Sequence, residues 1–379
     1  MKVFIAVTHL LGTGHLRRAD MLARAFAARG DSVCIASGGL ALALPEMPGI
    51  SRIQLPPLKS DGTDFSRLLT ADGSPASSAY LANRTATLCN AMVQAKPDIL
   101  ITELFPFGRR SLNDEFLALL ERAHDMQPRP RIYCSIRDIL APPSKPAKAE
   151  RTDDIVTRYY DGVLVHSDPD ATPLEASWPV SDRLSPYLRY TGYVAPEPPE
   201  AHPRQLGADD IIVSAGGGPV GNHLFETAAR AASDLPDRTW RLLVGGSEPA
   251  SVVTALKAGA PANLIVEPAR SDFRQMLRHA ACSVSLCGYN TALDVLQTGI
   301  PALFVPFDDG KEVEQGLRAQ SLSSLPAISV MRAAEMTAAG LADAVSKLCA
   351  EPRREPSKLR MSGASETVRI AKEHARTAP

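Results

Sequence analysis

The chain has 379 residues, more than one compact core of usual size holds, so two domains of roughly 150 to 200 residues are expected. Apolar residues make up 45% and charged residues 22%, as in globular proteins, and a net charge of −1 without a basic block argues against a nucleic-acid binder. The run Met1 to Val7 is too brief for a signal peptide or a spanning helix, and no later window is apolar enough to span, so a cytoplasmic protein is expected; a small apolar patch would suffice to dock it at the inner face of the membrane.

The first half alternates strand-like and helix-like segments. A strand is expected over 2–8, then a helix over 14–29 with Leu16, Ala19, Leu22, Ala23 and Phe26 on one face and Gly30 as its C-cap. Further strands are expected over 32–36, 99–102, 131–135 and 162–165, with helices over 79–95 and 112–125. Residues 59–78, rich in Ser, Asp, Gly and Thr, suggest a long mobile loop. Four prolines in 196–203 mark a semi-rigid linker.

The same grammar then restarts. Strands are expected over 211–214, 240–244, 264–267, 282–286 and 302–305, with helices from about Asn222 to Ser233, from Pro249, over 272–279 and after Gly288. A last helix-like stretch covers 357–375. The resulting division is 1–195, a linker at 196–203, 204–354, and a C-terminal helix within 355–379 that could return to the N-terminal domain. Such alternation indicates α/β architecture: two doubly wound, Rossmann-like domains with parallel sheets covered on both faces, facing a cleft lined by the carboxyl ends of their strands.

The glycine loops carry the chemistry. After the first strand, Gly12-Thr13-Gly14-His15 has Arg17 where a dinucleotide fingerprint requires its third glycine, and no acid ends the second strand, so NAD binding is not expected. His15 instead stands at a helix start and at a strand end, where the helix N-terminus favours the neutral imidazole a general base needs; the plainer alternative is that it caps its helix. Glu103, at another strand end, could serve as base or orient His15, or could form an ion pair with Arg109 or Arg110. His166 and Asp168 mark a further strand end.

In the second half, Gly216, Gly217 and Gly218 follow one strand, Gly245 and Gly246 the next, and Gly288-Tyr289-Asn290-Thr291 opens a helix. Glycine backbone and a helix N-terminus suit a diphosphate. Asp294, within two turns of that start, is in reach of ribose hydroxyls, and Glu314 with Gln315 offers the acceptor and donor mixture that sugar hydroxyls require. Six scattered cysteines form no C-x-x-C pair, so neither a metal site nor a disulfide framework is expected.

From Arg270-Ser271-Asp272-Phe273 through 287–294 and Gly299-Ile300-Pro301 to Glu314-Gln315, with the Gly12-Thr13-Gly14-His15 loop, the chain resembles the GT-B glycosyltransferases related to the enzyme that adds N-acetylglucosamine to the lipid-linked peptidoglycan precursor. The resemblance implies a GT-B fold and a UDP-sugar donor as substrate, with no cofactor and no metal. It places the diphosphate on Gly14, Gly216 to Gly218 and Gly288 to Thr291, the nucleoside near Gly245, Arg270 and Asp294, and the donor sugar on Glu314 and Gln315. It also implies inversion at the anomeric centre. Two features depart from the peptidoglycan enzyme: residue 294 is Asp in place of Glu, and Thr102 to Arg110 replaces its acceptor-loop pattern. Segments 135–140, 165–169 and 191–194 resemble a less characterised bacterial branch of predicted glycosyltransferases, so the acceptor does not carry over.

Three functions fit these residues: transfer of a sugar from UDP to an unidentified acceptor, hydrolysis of the UDP-sugar with His15 activating water, or nucleotide-sugar binding without turnover.

Overall fold

A computed structural model describes residues 1–60, 67–215, 221–246, 249–307 and 313–376. The chain folds into two compact units. The first comprises 1–169, 173–195 and 360–379, and the second 170–172 and 196–359.

In chain order the first unit contains β1 (Lys2–Val7), α1 (Gly14–Ala27), β2 (Ser32–Ser37), β3 (Ile50–Gln54), α2 (Ser78–Ala95), β4 (Ile99–Glu103), α3 (Asn113–His124), β5 (Arg131–Arg137), α4 (Pro146–Tyr159), β6 (Gly162–His166) and β7 (Leu188–Tyr190). The second contains β8 (Ile211–Ser214), α5 (Asn222–Ala231), β9 (Trp240–Val244), α6 (Pro249–Lys257), β10 (Leu264–Pro268), α7 (Phe273–Leu277), β11 (Cys282–Ser285), α8 (Tyr289–Thr298), β12 (Ala302–Phe304), α9 (Glu314–Leu322), β13 (Ile328–Val330) and α10 (Ala338–Cys349). The last helix, α11 (Gly363–Arg376), belongs to the first unit.

Both sheets are wholly parallel, in the orders β3-β2-β1-β4-β5-β6-β7 and β10-β9-β8-β11-β12-β13. Each reverses direction of growth once, between β1 and β4 in one sheet and between β8 and β11 in the other. Ligands of doubly wound sheets bind beyond the carboxyl ends of the strands at such points. Central strands are continuous buried runs, Val3 to Val7 and Ile99 to Glu103 for example, as strands covered on both faces must be.

Several elements differ from the sequence expectation. The edge strands β3, β7 and β13 are polar or only three residues long, which hides them from an apolar-run search. Helix α4 follows Pro142 and Pro143 and starts at Pro146, in the first turn where proline is tolerated. Helix α10 starts at a Thr337 cap that accepts from Gly340 N at 3.1 Å, and neither it nor α4 was among the expected helices. Helix α1 stops at Ala27, so Gly30 lies beyond its cap rather than forming it. The expected mobile loop is partly paired: Lys59 and Leu69 exchange backbone hydrogen bonds at 2.8 and 2.9 Å, and Ala76 N donates to Leu68 O at 2.9 Å, while 61–66 lie outside the described residues.

The chain returns to the first unit through a close backbone approach. Tyr193 N donates to Arg360 O at 2.7 Å and Gly363 N to Tyr193 O at 3.0 Å. A Cβ on Gly192 would meet Arg360 O at 2.5 Å, and one on Gly363 would meet Gly192 O at 2.2 Å, so only glycine fits at either place. Val368, Ile370 and Ala371 of α11 then join the cluster formed by the inner face of α1 with β1 and β2.

Candidate active site

β1 and β4 are neighbours at the reversal of the first sheet, and the residues that follow them meet there. Gly12, at φ +65, turns the chain after β1, and α1 begins two residues later with His15 in its first turn. Thr13 occupies the cap position without a side-chain cap bond, and His15 does not cap the helix: its Nδ1 lies 2.9 Å from Glu103 Oε1. Leu104 leaves β4 at φ +73, a left-handed conformation costly for a branched side chain and of the kind found where a site dictates the backbone.

Glu103 is 1% exposed, and its partners are His15, Arg18 and Ser135: of the two expected arrangements it contacts His15 and does not pair with Arg109 or Arg110. Arg18 Nη2 pairs with Oε1, and Ser135 Oγ donates to Oε2 at 2.6 Å. Arg109 Nε instead donates to Thr8 O at 2.6 Å. Burial pushes the Glu103 carboxyl up, but Arg18 and the His15 and Ser135 hydrogen bonds outweigh it and hold it well below the usual carboxylate range. Arg18 Nη2, a donor only, lies 3.1 Å from the same Nδ1 but pairs with the Glu103 carboxylate; because an ionised carboxylate only accepts, the shorter His15–Glu103 contact places the His15 proton on Nδ1 and leaves Nε2 as a lone pair. No hydrogen bond reaches that Nε2 among the described residues. Burial, followed by the charges of Arg109 and Arg18, lowers the His15 pKa to about 3, against the raising effect of Glu103.

The hydrogen bonds continue inward. Ser135 Oγ is 3.0 Å from His166 Nε2, and His166 Nδ1 is 2.8 Å from Thr191 Oγ1. His166 therefore faces the interior at 0% exposure, and Asp168 accepts from Arg360 N at 2.9 Å.

In the second unit β8 and β11 are neighbours at the reversal of the sheet, and α8 follows β11. Gly216, Gly217 and Gly218, which follow β8, lie outside the described residues. Gly288 caps α8 from an extended conformation with no side-chain cap bond. Tyr289, Asn290 and Thr291 form the first turn, with Asn290 exposed. Arg318, 2% exposed, braces this loop by donating to Cys287 O at 3.1 Å and lying 5.8 Å from the Tyr289 ring centroid. Neither Gly288 nor Gly14 has a positive φ, and among the described residues a Cβ on either would meet no atom within 4 Å. Nothing among the described residues requires glycine there, whereas close approach of a ligand to the backbone would.

Asp294 lies on α8 with Oδ1 2.6 Å from Arg274 Nε, and burial pushes its carboxyl up against the pull of Arg274. Arg274 also donates to Gln297 Oε1 at 2.6 Å, so Asp294 is held by an arginine that is itself fixed. Arg270 makes a two-pronged pair with Asp272 at 2.8 and 2.7 Å and reaches Glu267 at 3.3 Å. Gly245 directly follows β9. Glu314 opens α9, and Gln315 Oε1 accepts from Phe307 N at 3.3 Å.

Sequence reasoning did not pick out Arg18, Ser135, Thr191, Arg274 or Arg318. Arg18 was within reach, because the i, i+3 spacing from His15 puts both on one helical face. The others act across strands or helices and leave no local pattern.

Residues 213–374 match the family described as glycosyltransferase family 28 C-terminal domain. Over 145 residues the chain is 32% identical to the UDP-N-acetylglucosamine--N-acetylmuramyl-(pentapeptide) pyrophosphoryl-undecaprenol N-acetylglucosamine transferase of Brucella anthropi; the match covers 36% of this chain and 38% of that protein's length. The crystal structure of MurG from Acinetobacter baumannii superimposes with a TM-score of 0.64 at 18% identity, covering 98% of this chain and 100% of the other. That of the kitacinnamycin glycotransferase does so with a TM-score of 0.65 at 18% identity, covering 100% and 99%. Among the described residues no helix is long and apolar enough to cross a membrane.

Proposed function

From a chain of GT-B fold whose residues 213–374 form a glycosyltransferase family 28 C-terminal domain, we propose a glycosyltransferase that moves a sugar from a UDP-sugar to a hydroxyl acceptor with inversion. The observation that carries the reading is the His15–Glu103 pair, which presents a neutral imidazole with its Nε2 lone pair unused. The first unit supplies the base: as the acceptor oxygen attacks the anomeric carbon, its proton passes to Nε2, and Glu103, held by Arg18 and Ser135, stabilises the imidazolium that forms.

The second unit supplies the donor's nucleotide end. The N-terminus of α8, with Gly288 to Thr291, meets the diphosphate and the negative charge that grows on it as the glycosidic bond breaks. Gly14 would give backbone N–H from the N-terminus of α1, Asp294 would take the ribose hydroxyls, the segment of Gly245 and Arg270 would hold the base, and Glu314 with Gln315 would contact the sugar. UDP as the nucleotude's identity draws support from the name of the Brucella anthropi relative.

The test measures UDP release from a panel of UDP-hexoses and UDP-N-acetylhexosamines, alone and with sugars, phenols and long-chain alcohols as acceptors. Acceptor-dependent release with a new glycoside is expected. Rapid stoichiometric hydrolysis without acceptor would make the enzyme a hydrolase, with His15 activating water. Binding of UDP without turnover under any condition would leave a nucleotide-sugar-binding protein.

A further inference from the structure

The base site extends beyond its histidine and carboxylate into a fully buried series of polar side chains. Glu103 ends β4, Ser135 lies on the neighbouring β5, His166 ends β6, and Thr191 follows β7, so four successive positions in the sheet each contribute one side chain. Ser135 and His166 are 0% exposed and Thr191 is 2% exposed. A polar group this deep is costly unless hydrogen-bonded, and every link here is between 2.6 and 3.0 Å.

The direction of each link follows from the one before it. Glu103, ionised beside Arg18, can only accept, so the Ser135 hydroxyl gives it its proton. With that proton committed, Ser135 Oγ faces His166 Nε2 as an acceptor, and His166 carries Nε2–H. A second proton on Nδ1 would make a buried cation near Arg18. Burial and then the Arg18 charge lower the His166 pKa to about 3, so Nδ1 stays bare. Thr191 Oγ1 is 2.8 Å from that nitrogen, 2.8 Å from Gly192 O and 3.3 Å from Val165 O, and within the series its hydroxyl is the one donor that meets the bare nitrogen.

We infer that Thr191, His166 and Ser135 are positioning residues that act through Glu103 on His15, fixing the Nδ1–H tautomer and so keeping Nε2 as the proton acceptor. Without the Ser135 hydroxyl, one carboxylate oxygen would lose its buried donor, and Glu103 would hold the imidazole less firmly. Without the His166 bond, the hydroxyl would be free to turn away from Glu103. The inference rests on the proposed role of His15, but its central statement concerns protonation and can be read without turnover.

The full chain labelled with ¹⁵N-histidine contains eight histidines, few enough to assign by single substitutions. Their ring nitrogen shifts report tautomers directly. His15 is expected as Nδ1–H and His166 as Nε2–H in the native protein. Ser135→Ala should turn His15 into a mixture of tautomers and lower kcat about 10-fold with the donor KM unchanged. The near-isosteric Thr191→Val should shift the His166 signals and lower kcat several-fold, and Thr191→Ser, which keeps the hydroxyl, should restore both. Thr191→Val keeps the question open to measurement if Ser135→Ala fails to fold. An Nε2–H tautomer at native His15, or unchanged His15 signals and kcat in Ser135→Ala, would overturn the inference. Full activity in His15→Ala alongside the expected tautomers would instead defeat the proposed base and leave the tautomer relay standing.

Discussion

At His15, burial and two nearby guanidinium groups keep the imidazole neutral over the whole physiological range, while Glu103 fixes which nitrogen is bare. His15→Ala should therefore lower kcat on the order of 100-fold or more while UDP affinity, measured by calorimetry, changes less than about twofold. An equal fall in affinity would make His15 a binding residue. The same depressed pKa has a stability consequence. The unfolded chain takes up a proton below about pH 6.5 that folded His15 refuses until about pH 3, so acid favours unfolding through that window. His166 acts in the same direction, and Glu103, depressed below the carboxylate range, adds stability above its unfolded pKa that is lost only in stronger acid. Urea midpoints should thus drop between pH 7 and pH 5, and drop less in His15→Gln; parallel curves would show that the fold does not exclude this proton. His15 and Glu103 were legible in the sequence because each follows an apolar run that had to be a strand. Ser135 was legible only as part of a strand, since its partner His166 is 31 residues away and no local spacing encodes that meeting.

Among the elements, α8 carries the most of the donor proposal. Its cap Gly288 has room for a methyl group and an ordinary backbone conformation, so Gly288→Ala should cost under about 1 kcal/mol of stability. If the N-terminus of α8 receives the diphosphate, the same substitution should weaken UDP binding about 10-fold or more, because the added carbon would stand between backbone and phosphate. Unchanged UDP affinity would move the diphosphate elsewhere. Turnover in EDTA should match that without it; a loss would put a cation where α8 is proposed to act. The interior strands and α8 could be placed from sequence because burial on both faces writes long apolar runs. β3 could not, because an edge strand such as Ile50-Ser51-Arg52-Ile53-Gln54 is half-exposed and alternates too weakly. Asp294 could be placed on its helix, but not its clamp by Arg274, which comes from a helix 20 residues earlier.

For the whole molecule, the proline-rich stretch at 196–203 made the division between two α/β halves readable, and the restart of strand and helix alternation gave the fold class. A C-terminal helix returning to the first half could be suggested from the sequence, but not its seat, which depends on two glycines 171 residues apart in number that let the chain lie against itself at Gly192 and Gly363. Val368 and Ile370 bury there almost completely, worth on the order of 2 kcal/mol each. Truncation before Arg360 should lower the thermal midpoint of the first unit and leave UDP binding by the second within about twofold. A truncated chain that melts like the full one would mean that α11 adds little to the cluster it joins.

The return of α11 also bears on how the protein is made. A ribosome delivers residues in order, and domains tend to fold as they emerge. Here the second unit, ending at 359, is complete while the first still lacks its last helix. During synthesis the α1 face that will receive Val368, Ile370 and Ala371 is bare until the final stretch of chain appears. The unit that carries the proposed base is thus finished only after the one proposed to hold the donor.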